Sequence, residues 1–364
     1  MRAKSVMPSL PVIRRLFTLA ILSCSLLTAA ETWPGEPQAG LLWVWGSAVQ
    51  AEPILDEQGE WLRDSEYSFR GLARPDRSFA AVVDNGALEA VEMGAALGAQ
   101  WTAYQQLYLE MALRPGPAAK QGLLWSVQGP EQRLLALGLA DGRLFAQVSD
   151  QQRTDLGPWQ PTTGSHLALL LKGTDIQLTI DGTAQPPVSL SAMPDLTTAE
   201  RVLFGGSVDG SQSWSGSIEG VLLATQERRA QDSAAYWQAQ WQSRPTIVNR
   251  RVRARLLAHA TEPAAADLVE YDECLLAMVW QVEEQLSGPK LENDQILTWH
   301  WYQLDRRILA QARPPALNST MILEISPRDD NPQTSGVQMV ETDLEADQVF
   351  GLDAYLLVAD PVTP

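Results

Sequence analysis

Between residues 122 and 182 short apolar runs are broken repeatedly by the same kind of turn. LLWSVQG and RLLALGLA lead into Asp141-Gly142, RLFAQVSD follows, and HLALLLK, Gly173-Thr174 and DIQLTI lead into Asp181-Gly182. Asp-Gly between alternating runs marks a two-residue hairpin, because a type I′ turn needs positive φ at both central positions. Strands of six to eight residues, each stopped by a tight turn, predict an antiparallel all-β sandwich or barrel.

The flanks extend the pattern. GLLWVWG (40–46) is a Trp-rich run bounded by glycines, and strand-like pieces follow at 78–83 and 87–93. YQQLYLEMAL (104–113) alternates until Arg114-Pro115 stops it, and RVLFGGS (201–207) leads into Trp214-Ser215-Gly216-Ser217-Ile218-Glu219-Gly220-Val221. Gly216 and Gly220 within a strand predict a bend or a close backbone approach. Few helical periods interrupt the strands before residue 227. There Ala230, Ala234, Trp237 and Trp241 recur at three- or four-residue spacing, one helical stripe of small and aromatic side chains, and Pro245 ends it. Trp237 and Trp241 are expected to dock this helix and to hold a second domain against the first. Further strands are expected at 247–260, 274–286, 295–304, 321–327 and 354–360, enough for a smaller β-barrel or β-sandwich module.

Phe204-Gly-Gly, a short loop, W-x-G-x-I-x-G-V and a helix with Arg and Ala resemble the closing segment of laminin-G-like, concanavalin A-like jelly-roll domains. GLLWVW, YLEMALRP and HLALLLKGTDIQLTIDG occur upstream in the order that family requires, so the resemblance spans about residues 40–241. It implies an antiparallel jelly-roll β-sandwich over 40–225, a bridging α-helix over 227–243 and a C-terminal β-rich module over 247–364. It also implies binding of a glycan or a protein partner, in some members with a rim calcium, and in some branches glycoside hydrolysis. The region from 251 is similar to a module that follows such jelly rolls in exported bacterial proteins, a setting associated with cell-surface polysaccharide.

Residues 1–30 read as an export signal, with Arg14-Arg15 before the apolar LFTLAILSCSLLTAA and small residues at Ala29 and Ala30. Ile21-Leu22-Ser23-Cys24 also resembles a lipoprotein box, so Cys24 is either part of an excised leader or a lipid anchor, the one expected route to a membrane. Cys274 is the only other cysteine, which leaves no intramolecular disulfide in the mature chain. Export without disulfides suits a bacterial periplasm or cell surface, and the sequon at Asn318 is then coincidental. The chain carries 27 basic and 44 acidic residues, net −17. Loss of Arg2, Lys4, Arg14 and Arg15 leaves 23 against 44, or −21, which argues against nucleic acid as a partner.

No catalytic constellation stands out. Glu341, Asp343 and Glu345 would share one face of a strand. Laminarinase-type glycosidases of the concanavalin-like fold carry such a motif, but here it lies about a hundred residues beyond the jelly roll, and an acidic solvated loop accounts for it. His166, His259 and His300 show no metal spacing. His166 reads as structural, and His300 alternates with Trp299 and Trp301 and so faces away from them. There is no G-x-S-x-G, phosphate loop or dinucleotide fingerprint. Sugars stack on flat aromatic rings, and Trp61 and Trp159 lie in polar, loop-like settings that would expose them. Trp43, Trp45, Trp125 and Trp214 read as core. Asp155 and Asp209 are conceivable calcium ligands, but their spacing does not support a site, and no cofactor is expected. The sequence points to an exported binding protein without catalysis. A glycoside hydrolase or lyase on the same fold, or a structural subunit of an envelope complex, are the alternatives.

Overall fold

A computed structural model of the chain describes residues 41–46, 67–116, 119–149, 151–161, 163–244, 248–264, 268, 270–309, 313–345, 349, 351–359 and 361–363. The leader with Cys24, and Trp61, lie outside the described residues. The N-terminal part contains β1 (Leu41–Gly46), β2 (Tyr67–Gly71), β3 (Arg74–Pro75), β4 (Ala81–Val82), β5 (Gly86–Ala90), α1 (Met93–Tyr104), β6 (Gln106–Pro115), β7 (Gly122–Gln128) and β8 (Arg133–Ala140). It continues through β9 (Arg143–Val148), β10 (Thr154–Pro158), β11 (Ser165–Lys172), β12 (Asp175–Ile180), β13 (Thr183–Ala184), β14 (Val188–Ser189), β15 (Arg201–Phe204), β16 (Gly216–Ala224) and α2 (Ala230–Ser243).

Two antiparallel sheets make the sandwich. The first runs β13-β12-β11-β6-β16-β4-β3, with β1 also on β16 and β14 on β12; the second runs β10-β9-β8-β7-β15-β5-β2. The hairpin turns form as the sequence requires, with φ of 51° and 73° at Asp141 and Gly142 and 48° and 77° at Asp181 and Gly182. On β6, Leu107, Leu109, Met111 and Leu113 enter the core between the sheets, while Tyr108 and Ala112 belong to a separate apolar cluster on the outer face. The two-residue period therefore puts apolar groups on both faces, and the outer face needs a cover. Helix α2 supplies it: Ala230 and Trp237 pack on Ala112, Ala168, Leu170, Leu222 and Ala224.

Helix α1 is a departure from the sequence reading, which ends one strand at 93, begins the next at 104 and assigns no element between them. Leu97 and Trp101 are buried at four-residue spacing among small residues that leave little amphipathic contrast. The helix packs backbone to backbone on the segment before β15, and a Cβ on Gly94 would sit 2.2 Å from the Glu200 carbonyl carbon. Gly216 and Gly220 bracket a second irregularity, where the β16–β6 register shifts between Ile218 and Gly220. The shift takes Glu219 out of the ladder as a bulge residue.

The C-terminal part contains β17 (Arg250–His259), β18 (Cys274–Ser287), β19 (Gln295–Leu304), β20 (Arg307–Ile308), β21 (Thr320–Pro327), β22 (Gln338–Val340) and β23 (Asp353–Leu357). Strands β17, β18 and β19 form a meander, β21 returns beside β17, and β23 pairs parallel to β19 and antiparallel to β21, which closes the ring. This is a five-stranded Greek-key barrel of the OB type. Inside it the Trp280 indole N–H donates to Thr298 Oγ1 at 2.8 Å, and Thr298 Oγ1 lies 2.7 Å from His300 Nε2. His300 thus shares a face with Thr298, opposite Trp299 and Trp301, as its alternation requires. Among the described residues no helix is long and apolar enough to cross a membrane.

The barrel docks at one edge of each sheet of the sandwich. Strand β2 is the edge of one sheet and β3 of the other. The Phe69 backbone N–H donates to the Asp305 carboxylate, and Arg307 Nη2 donates to the Phe69 carbonyl. Ser68 Oγ donates to Asp305 Oδ2 at 3.0 Å, and Arg74 Nη2 reaches the Val358 carbonyl at 2.9 Å. On β2, side chains of the barrel thus satisfy backbone groups that would otherwise template another strand, while at β3 a sandwich side chain binds a barrel carbonyl. This clasp corrects the expectation that Trp237 and Trp241 hold the two parts together. Those tryptophans fasten α2 to the sandwich, and the junction forms on the opposite flank of β16.

Candidate functional site

The residues singled out by sequence do not converge. Trp159 is buried, donates to Ser165 Oγ at 3.0 Å and packs on Trp214 with centroids 6.0 Å apart, so it is core rather than an exposed sugar platform. Its setting in Gly157-Pro158-Trp159-Gln160-Pro161 looked like a loop because strand β10 is short and irregular. Trp43, Trp45, Trp125 and Trp214 are buried as expected. Glu341, Asp343 and Glu345 lie on a turn, not a strand; Asp343 has φ 68° and accepts from Thr261 Oγ1 at 2.5 Å. The shared face needed for an acid pair does not form there.

Asp209 spends its acceptors locally, on Ser207 Oγ at 2.6 Å, the Ser211 N–H at 3.0 Å and Ser211 Oγ at 2.8 Å, and these bonds pull its carboxyl down to about 2. Asp155 is an exposed partner of Arg143. His259 Nδ1 lies 2.9 Å from the Ala260 carbonyl. Among the described residues no group of His, Cys, Asp and Glu is arranged to hold a metal.

The sequence did not anticipate a polar layer between the first sheet and α2. Glu110 and His166 are fully buried neighbours on β6 and β11, with His166 Nε2 3.0 Å from Glu110 Oε2. Tyr108 donates to Glu110 Oε1 at 2.6 Å, and Ser233 of α2 bonds the same carboxylate. Burial alone would push the Glu110 carboxyl up. The bonds from His166, Tyr108 and Ser233 instead hold it below the ordinary carboxylate range. Serine, histidine and a carboxylate meet here, but the carboxylate stands between the other two, so His166 has no serine to deprotonate.

Further along the same face Glu219, also fully buried, binds Arg244 through both oxygens at 2.7 and 2.8 Å, Arg114 Nε at 3.2 Å and the Trp241 indole N–H at 2.8 Å. Both buried carboxylates of this sheet therefore face the helix that covers them and not an open groove. They act as fasteners. The available signal was one Glu in each of two strands apolar on both faces.

Accessible polar groups of both folding units gather instead at the β2 junction. Glu89 of β5, with 7 % of its side chain exposed, takes Arg70 Nε on Oε2 and Arg201 Nε on Oε1 at 3.3 Å. Across the junction Arg307 and Asp305 hold Phe69, and Arg306 pairs with Asp272. Glu273 lies close enough to these groups that burial, then the charges of Asp305 and Asp272, push its carboxyl up to about 7. Tyr67 borders the cluster and is 41 % exposed. Burial and then the Glu273 charge push the Tyr67 phenol above its ordinary range. An aromatic ring, guanidinium groups and a carboxyl that titrates near neutrality thus stand together where two folding units meet, a common place for ligand sites. Nothing in the local sequence distinguishes these residues, because they come from five separate segments.

No family model matches the chain, and neither does any curated protein. Among solved structures it is similar to a Trypanosoma rangeli sialidase in complex with sialic acid, at 13 % identity and a TM-score of 0.40, over 63 % of this chain and 39 % of that one. It is also similar to the CBM40 of a Ruminococcus gnavus IT-sialidase bound to α2,3-sialyllactose, at 14 % identity and a TM-score of 0.34, over 47 % and 98 % of the two chains. The binding domain of botulinum neurotoxin DC in complex with rat synaptotagmin II aligns at 7 % identity and a TM-score of 0.40, over 72 % and 69 %. The chain thus spans well under half the length of the sialidase. With scores this low, none of these likenesses carries a function to it, and the fold rests on the strand pairing itself.

Proposed function

We propose that this chain is an exported protein of the bacterial envelope that binds a glycan at the junction of its sandwich and barrel, without covalent chemistry. The carrying observation is the half-exposed Tyr67 ring beside the arginines and carboxylates of the β2 clasp. Pyranose faces stack on such rings while planar guanidinium and carboxylate groups bond the hydroxyls at the rim. The leader supports export to the periplasm or cell surface, either free after cleavage near Ala30 or tethered through Cys24.

Screening the full mature chain against immobilised bacterial polysaccharides tests this reading, with Tyr67→Ala and Arg201→Ala as paired variants. Retention that drops in both variants is expected. Retention untouched by either places the contact elsewhere, and retention on no polysaccharide removes the reading in favour of a protein partner.

One observation favours a second reading as a glycoside hydrolase. Glu273, raised to about 7 by burial and then by the charges of Asp305 and Asp272, is a carboxyl that holds a proton near neutrality beside a second carboxyl group, the pairing glycosidases use. Release of reducing ends that Glu273→Gln abolishes, with binding retained, would replace the binding-only reading.

A further inference from the structure

We propose that the junction recognises the carboxylate of an acidic sugar, a uronate or related sugar acid, through Arg70, Arg201 and Arg307. This rests on glycan binding at the junction and adds the class of ligand.

The chain has 44 acidic and 27 basic residues, so three guanidinium groups around one strand run against its composition. Arg70 and Arg201 both spend Nε on Glu89, one on each oxygen. Their terminal Nη atoms therefore have no acceptor among the described residues. Glu89 acts as a shared brace that fixes both planes while leaving the outer edges free. Arg307 holds the Phe69 carbonyl through Nη2, and its buried Nε has no partner. That Nε is closed to solvent, so Arg307 contributes to a ligand through its charge and not through Nε.

The charge balance points the same way. Three guanidinium groups face Glu89 and Asp305, and Glu273, pushed up to about 7, adds its negative charge only above that pH, so one positive charge is left while Glu273 holds its proton. Burial lowers the proton affinity of Arg307; Asp305 counters this and the like charge of Arg70 reinforces it. One added carboxylate neutralises the cluster. Guanidinium forks match the planar geometry of a carboxylate better than that of a hydroxyl. With 43 % of its side chain exposed, Arg201 is the most accessible of the braced pair.

Isothermal titration of the full mature chain with trigalacturonate, its methyl ester, a neutral dextran oligomer and dextran sulfate tests this. Trigalacturonate should bind at least about tenfold more tightly than its ester, one charge-assisted contact's worth. The difference should shrink as salt rises. Arg201→Ala should lose about tenfold at temperatures where the variant remains folded, with a lowered melting temperature because Glu89 then keeps only Arg70. Arg201→Lys should recover only part of that loss, since an ammonium cannot form the fork. Equal affinity for acid and ester overturns the carboxylate assignment while leaving glycan binding in place. Preference for dextran sulfate over the uronate overturns the ligand class. Uronate binding unchanged in both Arg201→Ala and Arg70→Ala overturns the site. Failure of all four saccharides to bind overturns the glycan reading itself along with the proposal.

Discussion

Replacing Glu219 with alanine removes the acceptor of four donors at once: two from Arg244, one from Arg114 and the Trp241 indole. The carboxylate is fully buried, whereas the Arg244 and Arg114 side chains are 26 % and 40 % exposed. Removing one member of a buried ion pair costs about 3–5 kcal/mol, most of it from the charge left behind. Here the stranded guanidinium groups can regain water, and Arg114 keeps Asp76 at 2.9 Å. The expected loss therefore falls at the low end, about 3 kcal/mol.

The effect should be local before it is global, because Trp241 and Arg244 belong to α2 and the residue that follows it. Amides of α2 should lose hydrogen-exchange protection first, and tryptophan fluorescence in urea should report the overall loss. Glu219→Gln, which keeps the shape and drops the charge, should cost roughly 2 kcal/mol. A double-mutant cycle of Glu219→Ala with Arg244→Ala should give a coupling of at least about 1.5 kcal/mol. A loss below about 1 kcal/mol together with a coupling near zero would show that α2 is held by Trp237 and its apolar neighbours alone.

Two pH predictions follow from groups with opposite shifts. Glu273 has its folded proton affinity raised to about 7 from 4.5, so the folded state holds a proton that the unfolded state has lost. Its contribution is full below about 4.5 and disappears as pH rises through 7, so urea midpoints should fall across that window and Glu273→Gln should flatten the fall. His300 is depressed to about 3 from 6.5 by burial in the barrel. It should stay neutral where the unfolded chain is protonated, costing stability progressively as pH drops below about 6.5. Imidazole NMR should show His300 failing to titrate above pH 4; an ordinary titration of His300 would contradict its place beside Thr298 and Trp280.

Much of the architecture was legible along the chain. Asp141-Gly142 and Asp181-Gly182 fixed two hairpins, because their backbone requirement is local and steric. The spacing of Ala230, Ala234 and Trp237 fixed a helix with one buried face, and alternation through His300 assigned its side of β19. Helix α1 escaped because Gly94 and Gly98 serve a close backbone approach whose partner, residues 196–200, is a hundred residues away. Trp159 was misplaced for a similar reason, since its burial depends on Trp214 and Ser165 across the sandwich.

The junction was invisible in the sequence altogether. Tyr67, Arg70, Glu89, Arg201, Glu273, Asp305 and Arg307 are ordinary polar residues in their own segments. Only tertiary structure makes them a cluster, by placing β2 at a sheet edge and a barrel turn against it. Local sequence sets backbone geometry and the buried face of each element, because those depend on neighbours a few residues away. Which charges share a site depends on how the elements dock, and no periodicity records that.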